Sequence, residues 1–168
     1  PIDVDHIESL LEPGARFSEI FPDYEPRSQQ IEMMRHVAEG FNNGRLVVAE
    51  AGTGVGKSIA YLVPALIWAE QNEERIVIST ATINLQQQLL DNDIPLAKRI
   101  TNLDTKATLV KGRGNYVCLR RLQDAAQEGL LFDDDRDEIE LVSQWATTTD
   151  TGSRSDLPSF VSNEAWAK

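Results

Sequence analysis

An α/β fold, a parallel sheet flanked by helices, is what this sequence predicts, and three observations predict it. Short runs rich in β-branched residues, Leu46-Val47-Val48-Ala49, Ile76-Val77-Ile78 and Ala107-Thr108-Leu109-Val110, alternate with segments of helical apolar spacing. A glycine-rich stretch, Glu50 to Ser58, stands between the first of these runs and a helix. The 168 residues are 41% hydrophobic, which suits one core of ordinary size. Strands joined through helix-length connections imply parallel pairing with right-handed crossovers.

The elements follow in order. Asp3 to Glu12 reads as a short amphipathic helix with Ile7, Leu10 and Leu11 on one face, closed by Pro13-Gly14. Phe17 to Arg27 contains Pro22 and Pro26 and reads as a loop. Ser28 is placed to cap a helix whose apolar positions Ile31, Met34, Val37, Ala38 and Phe41 run to the Asn42-Asn43-Gly44 turn. Lys57 to about Gln71 carries Ile59, Leu62, Val63, Leu66 and Ile67 at helical spacing. Thr82 opens a further helix bearing Leu85, Leu89 and Leu90. Leu119, Leu122 and Ala126 share a helix that leads into the acidic run Asp133 to Asp135, which reads as a solvated loop.

The chemistry concentrates in Glu50-Ala51-Gly52-Thr53-Gly54-Val55-Gly56-Lys57-Ser58, a phosphate-binding loop in which Ala51 replaces the first glycine of the strict pattern. Glycines here let backbone N–H groups turn inward around a phosphate, because a Cβ would block both the positive-φ conformations and the close approach. Lys57 brings an ammonium to the β and γ phosphates, and the Ser58 hydroxyl can ligate Mg²⁺. Both are the candidate catalytic residues, and the cofactors expected are ATP and Mg²⁺. Glu50 receives no catalytic role, since a carboxylate repels a polyanion unless it turns away or pairs with Lys57.

The formal net charge of −11 argues against a nucleic-acid partner, but its distribution argues the other way. Arg75 to Arg121 carries +5 and the remainder −16, a basic island of the kind a phosphate-tracking groove needs. No apolar run is long enough to span a membrane and no secretory pattern opens the chain. The single cysteine argues against a disulfide-built secreted protein, so a cytoplasmic location is expected. The first residue is Pro1 rather than Met and Lys168 follows closely on Trp166, so both ends read as cut.

Four separated stretches together resemble the DinG and XPD type DNA helicases of superfamily 2, with likeness to the DinG and YoaA branch. They are Tyr24-Glu25-Pro26-Arg27-Ser28-Gln29-Gln30, Glu50 to Ser58 with Ala60 to Leu66, Ser79-Thr80-Ala81-Thr82 with Leu85 to Leu89, and Lys111-Gly112-Arg113-Gly114-Asn115-Tyr116-Val117-Cys118. The resemblance implies a P-loop NTPase (RecA-like) motor domain, here incomplete, belonging to a translocase that moves 5′ to 3′ on single-stranded DNA. It implies a lead-in over residues 1–23, a partial ATP-binding domain over 24–111 and the start of an iron–sulfur region, helical in its C-terminal part, over 112–168. A monomer is expected, with protein partners unspecified.

The same resemblance assigns roles. Gln30 matches the family's adenine-reading glutamine, whose amide can donate to N7 and accept from the N6 amine, with Tyr24 and Arg27 one turn away. Ser79, Thr80 and Ala81 follow a predicted strand and match a DNA-phosphate site, joined by Arg113 and Tyr116. Cys118 matches the first of four thiolate ligands of a [4Fe–4S] cluster, and the other three are absent from these residues. So is the acidic motif that holds Mg²⁺ and activates water. The alternative reading is a P-loop protein that binds nucleotide or nucleic acid in a regulatory role without unwinding.

Overall fold

Helix α3 (Ser28–Asn43) lies along helix α4 (Lys57–Asn72), and this pair forms the centre of the first of two units, Pro1–Leu109 and Val110–Lys168, in the computed structural model. The structure describes residues 1–128 and 136–167. Short helices α1 (Val4–Ser9) and α2 (Arg16–Ile20) precede α3, and α5 (Ile83–Gln88) with α6 (Ile94–Thr101) follow α4. A single π turn, Leu89–Asp93, joins α5 to α6.

The apolar stripe of each helix explains the packing. Met34 and Ala38 of α3 meet Leu62, Val63 and Leu66 of α4, while Ala97 and Ile100 of α6 close the other side. Ile7 and Leu11 bring α1 onto α3, and Phe17 fixes α2 in the same cluster. Capping follows local chemistry. The Thr82 side chain accepts from Leu85 N at 3.2 Å, and Gly44 ends α3 in the left-handed region. Ser28 is the first residue of α3 rather than its cap, a position held by Arg27 without a side-chain bond. Helix α4 continues through Pro64, which is fully buried.

No strand forms among the described residues. The three runs expected to build the parallel sheet carry no ladder, and the one bridge is an isolated antiparallel pairing of Tyr116 with Ser153. Leu46 is 92%, Val48 90% and Val77 89% exposed. A parallel sheet is stable when both faces are covered. Among the described residues, nothing covers these outward side chains, so β propensity in these runs is left without the tertiary packing it depends on.

The second unit holds α7 (Leu119–Glu128), α8 (Arg136–Ala146) and α9 (Asn163–Ala167), packed around Val142, Trp145 and Val161. Its helical C-terminal part agrees with the sequence expectation. The acidic run Asp133 to Asp135, with Leu130 to Phe132 before it, lies outside the described residues.

Candidate functional site

The glycine-rich loop ends where α4 begins, with Gly56 at the N-cap. Gly54 and Gly56 have φ of 81° and 86°, conformations that L side chains rarely adopt, so the sequence pattern is a backbone requirement at these two positions. The loop thereby delivers the unpaired N–H groups and positive dipole end of a sixteen-residue helix to one place, the arrangement that holds anions.

Lys57 is half-buried, and its Nζ donates to the carbonyls of Ala51 and Gly52, both at 2.8 Å. A lone ammonium beside backbone oxygens exchanges readily for phosphate oxygens, which bear full charge and form stronger bonds. Gly52, Thr53 and Gly54 are exposed and Val55 is half-buried. Tyr61 lies one turn after Ser58 on α4. Burial pushes the Tyr61 phenol above its ordinary pKa, the neighbouring Ser58 hydroxyl opposes that shift, and the charge of Asp93 adds to it.

The residues before α3 converge on the same loop. Arg27 donates from Nη1 to the Gly54 carbonyl. Gln30 is 3% exposed, its Nε2 donating to Gly56 O at 3.0 Å and its Oε1 accepting from the Tyr24 hydroxyl at 2.9 Å. Tyr24 is half-buried with its ring edge-on to Phe17 at 4.1 Å, and burial raises its pKa. The structure thus brings together Tyr24, Arg27, Gln30 and the whole Ala51 to Ser58 segment.

The remaining candidates stand elsewhere. Ser79 and Ala81 are exposed in the first unit, and the half-buried Thr80 donates from its hydroxyl to Thr82 O at 3.2 Å. In the second unit Arg113 is exposed, and the Tyr116 hydroxyl accepts from Lys111 N at 3.0 Å, which gives that side chain a structural tie. Cys118 is exposed beside a cavity of about 530 Å³ that Val117, Leu122, Ile139 and Trp166 also line. Among the described residues no group of His, Cys, Asp or Glu is arranged to hold a metal ion. One thiolate cannot bind a cubane that needs four, so the residues present do not by themselves fit an iron–sulfur cluster.

Sequence reasoning missed that Gln30 is buried against the loop, its amide bonded to the Gly56 carbonyl 26 positions away. It placed Tyr24 near Gln30 but had no signal for which atoms join them. No helix among the described residues is long and apolar enough to cross a membrane.

Comparison with known proteins bears on the same stretch. The DEAD/DEAH box helicase family matches residues 27–127, which include Arg27, Gln30 and the entire loop. The chain is 37% identical to the ATP-dependent DNA helicase YoaA of Haemophilus influenzae, over 87% of this chain and 22% of that protein. It is 40% identical to the ATP-dependent helicase DinG of Mycobacterium tuberculosis, over 84% of this chain and 24% of the relative. A Bacillus subtilis relative, the 3'-5' exonuclease DinG, is 36% identical over 83% of this chain and 15% of its own length. The chain therefore spans less than a quarter of these relatives. With a glycine loop at a helix N-terminus and a matched segment covering more than half of its residues, this chain belongs to the DEAD/DEAH box helicase family, whose motor domains have the P-loop NTPase fold, and its relatives include helicases named DinG and YoaA.

Proposed function

We propose that the chain is the ATP-binding part of an ATP-dependent DNA helicase that translocates 5′ to 3′ on single-stranded DNA. The observation that carries this reading is the loop from Ala51 to Ser58, presented at the N-terminus of α4 with Gly54 and Gly56 in positive-φ conformations. Lys57 and the loop N–H groups would hold the triphosphate, and Ser58 would hold Mg²⁺. Bound there, the ion would neutralise charge on the phosphate oxygens. Ser79, Thr80, Ala81, Arg113 and Tyr116 remain the proposed DNA contacts, and Leu46 to Ala49, Ile76 to Ile78 and Ala107 to Val110 the proposed strands of a sheet.

Binding and hydrolysis separate in this chain. No acidic motif after a predicted strand is available to hold Mg²⁺ and orient water, so the 168-residue protein should bind ATP yet hydrolyse it negligibly, with or without single-stranded DNA. Phosphate release measured against a DNA titration tests this. A DNA-stimulated rate near the 1 to 100 s⁻¹ order common for phosphoryl-transfer enzymes would show that Asp133 to Asp135 was misread.

Cys118 is proposed as one cluster ligand in a protein extended to the relatives' length. That protein, prepared anaerobically, should carry about four irons per chain, and Cys118→Ser should lower iron content and unwinding together. Full iron and full unwinding in the variant would leave Cys118 as an ordinary exposed thiol.

A further inference from the structure

We infer that Gln30 is a positioning residue for the phosphate loop, held in place by Tyr24, so that both act on the affinity for the triphosphate itself and not only on the base. The inference rests on the nucleotide-binding reading above and adds a role to two residues that the sequence assigned to the adenine side.

Four observations converge. The Gln30 side chain is buried, and the bond from its Nε2 reaches the carbonyl of Gly56, the residue that caps α4 and directly precedes Lys57. A carbonyl can only accept, so the amide nitrogen must face it and the orientation of the amide is fixed. Oε1 then faces Tyr24, whose hydroxyl must be the donor. The phenol is itself wedged against Phe17, a buried residue of α2, so the chain of contacts runs from the N-terminal helices through Tyr24 and Gln30 into the loop.

The fit at Gly56 is close. A Cβ there would collide with the Gln30 amide, so the loop has no room for any residue but glycine while Gln30 holds this position. Gly56 is also in the left-handed region, and its carbonyl accepts the first α4 bond, from Ala60 N at 3.2 Å. Fixing that carbonyl therefore fixes the peptide that presents the Lys57 N–H and the start of α4 to a phosphate. Arg27 supports the preceding peptide at Gly54 in the same way. These are contacts to the loop backbone.

An amide in this arrangement has one N–H and one lone pair unused. A base contact could use them, which is why the test must remove the base. The probe is inorganic triphosphate with Mg²⁺, measured by calorimetry on the 168-residue chain beside ATP and GTP. Gln30→Ala should weaken inorganic triphosphate roughly tenfold, since it removes one of the two bonds that hold the Gly56 carbonyl and leaves only the one from Ala60 N. Tyr24→Phe keeps the ring against Phe17 and loses only the hydroxyl, so it should fold as the parent does and weaken the same probe about threefold. Thermal unfolding of both variants checks that the fold survives. Any additional loss of ATP over GTP in Gln30→Ala measures a separate base contact. If both variants bind inorganic triphosphate as tightly as the parent while ATP alone weakens, Gln30 reads the base only and the inference is overturned. If the parent binds neither triphosphate nor ATP, the nucleotide-binding reading fails and this inference falls with it.

Discussion

Lys57→Ala removes ATP binding from the measurable range, a fall of at least about a hundredfold, while the protein unfolds at the same temperature as the parent. The magnitude follows from deleting a charge-assisted contact to a polyanion at the start of α4. The fold is spared because the Lys57 ammonium touches only loop carbonyls, at Ala51 and Gly52, and those can turn to water. Calorimetry with MgATP checks the first half and thermal unfolding the second. Equal affinity in variant and parent would sink the phosphate-loop assignment.

Leu62→Ala produces the largest expected loss of stability, about 2 to 5 kcal/mol for the first unit. Leu62 is fully buried on the face of α4 that meets α3, among residues from α1, α3 and α6. Truncation loses the transfer free energy of the side chain and leaves a cavity that helices crossing on three sides cannot close. Since domains of this size are stable by only about 5 to 15 kcal/mol, the variant would forfeit a large share. Urea unfolding reads the change directly, and a loss below about 1 kcal/mol would mean that the α3 and α4 interface tolerates repacking.

Helices were legible in the sequence because their signals are local. The apolar spacing of α3 and α4, the Thr82 cap and the Gly44 terminus depend on residues within a turn or two of each other. The glycine turn before α4 was legible for the same reason, since left-handed glycines and a following helix are written consecutively. The sheet was read from β-branched runs, and pairing is not a local property. Leu46, Val48 and Val77 need a second covered face, which the described residues do not provide. At the site, the identity of Gln30 was visible but its burial and its bond to Gly56 were not, because 26 positions separate them in the chain.

The uncovered runs also set a time scale. Amides within α4 lie behind a packed interface and exchange their hydrogens with solvent only when the first unit opens as a whole. The backbone from Leu46 to Ala49 and at Val77 has no ladder partner among the described residues, so those hydrogens should exchange far faster than those of α4 in a hydrogen-exchange measurement. The phosphate loop hangs between these regimes, with its N-terminal end attached to fast-exchanging backbone and its C-terminal end to the slowest helix. Under the proposed ATP-binding role, a phosphate would therefore meet Gly56 and Lys57 already held at the start of α4.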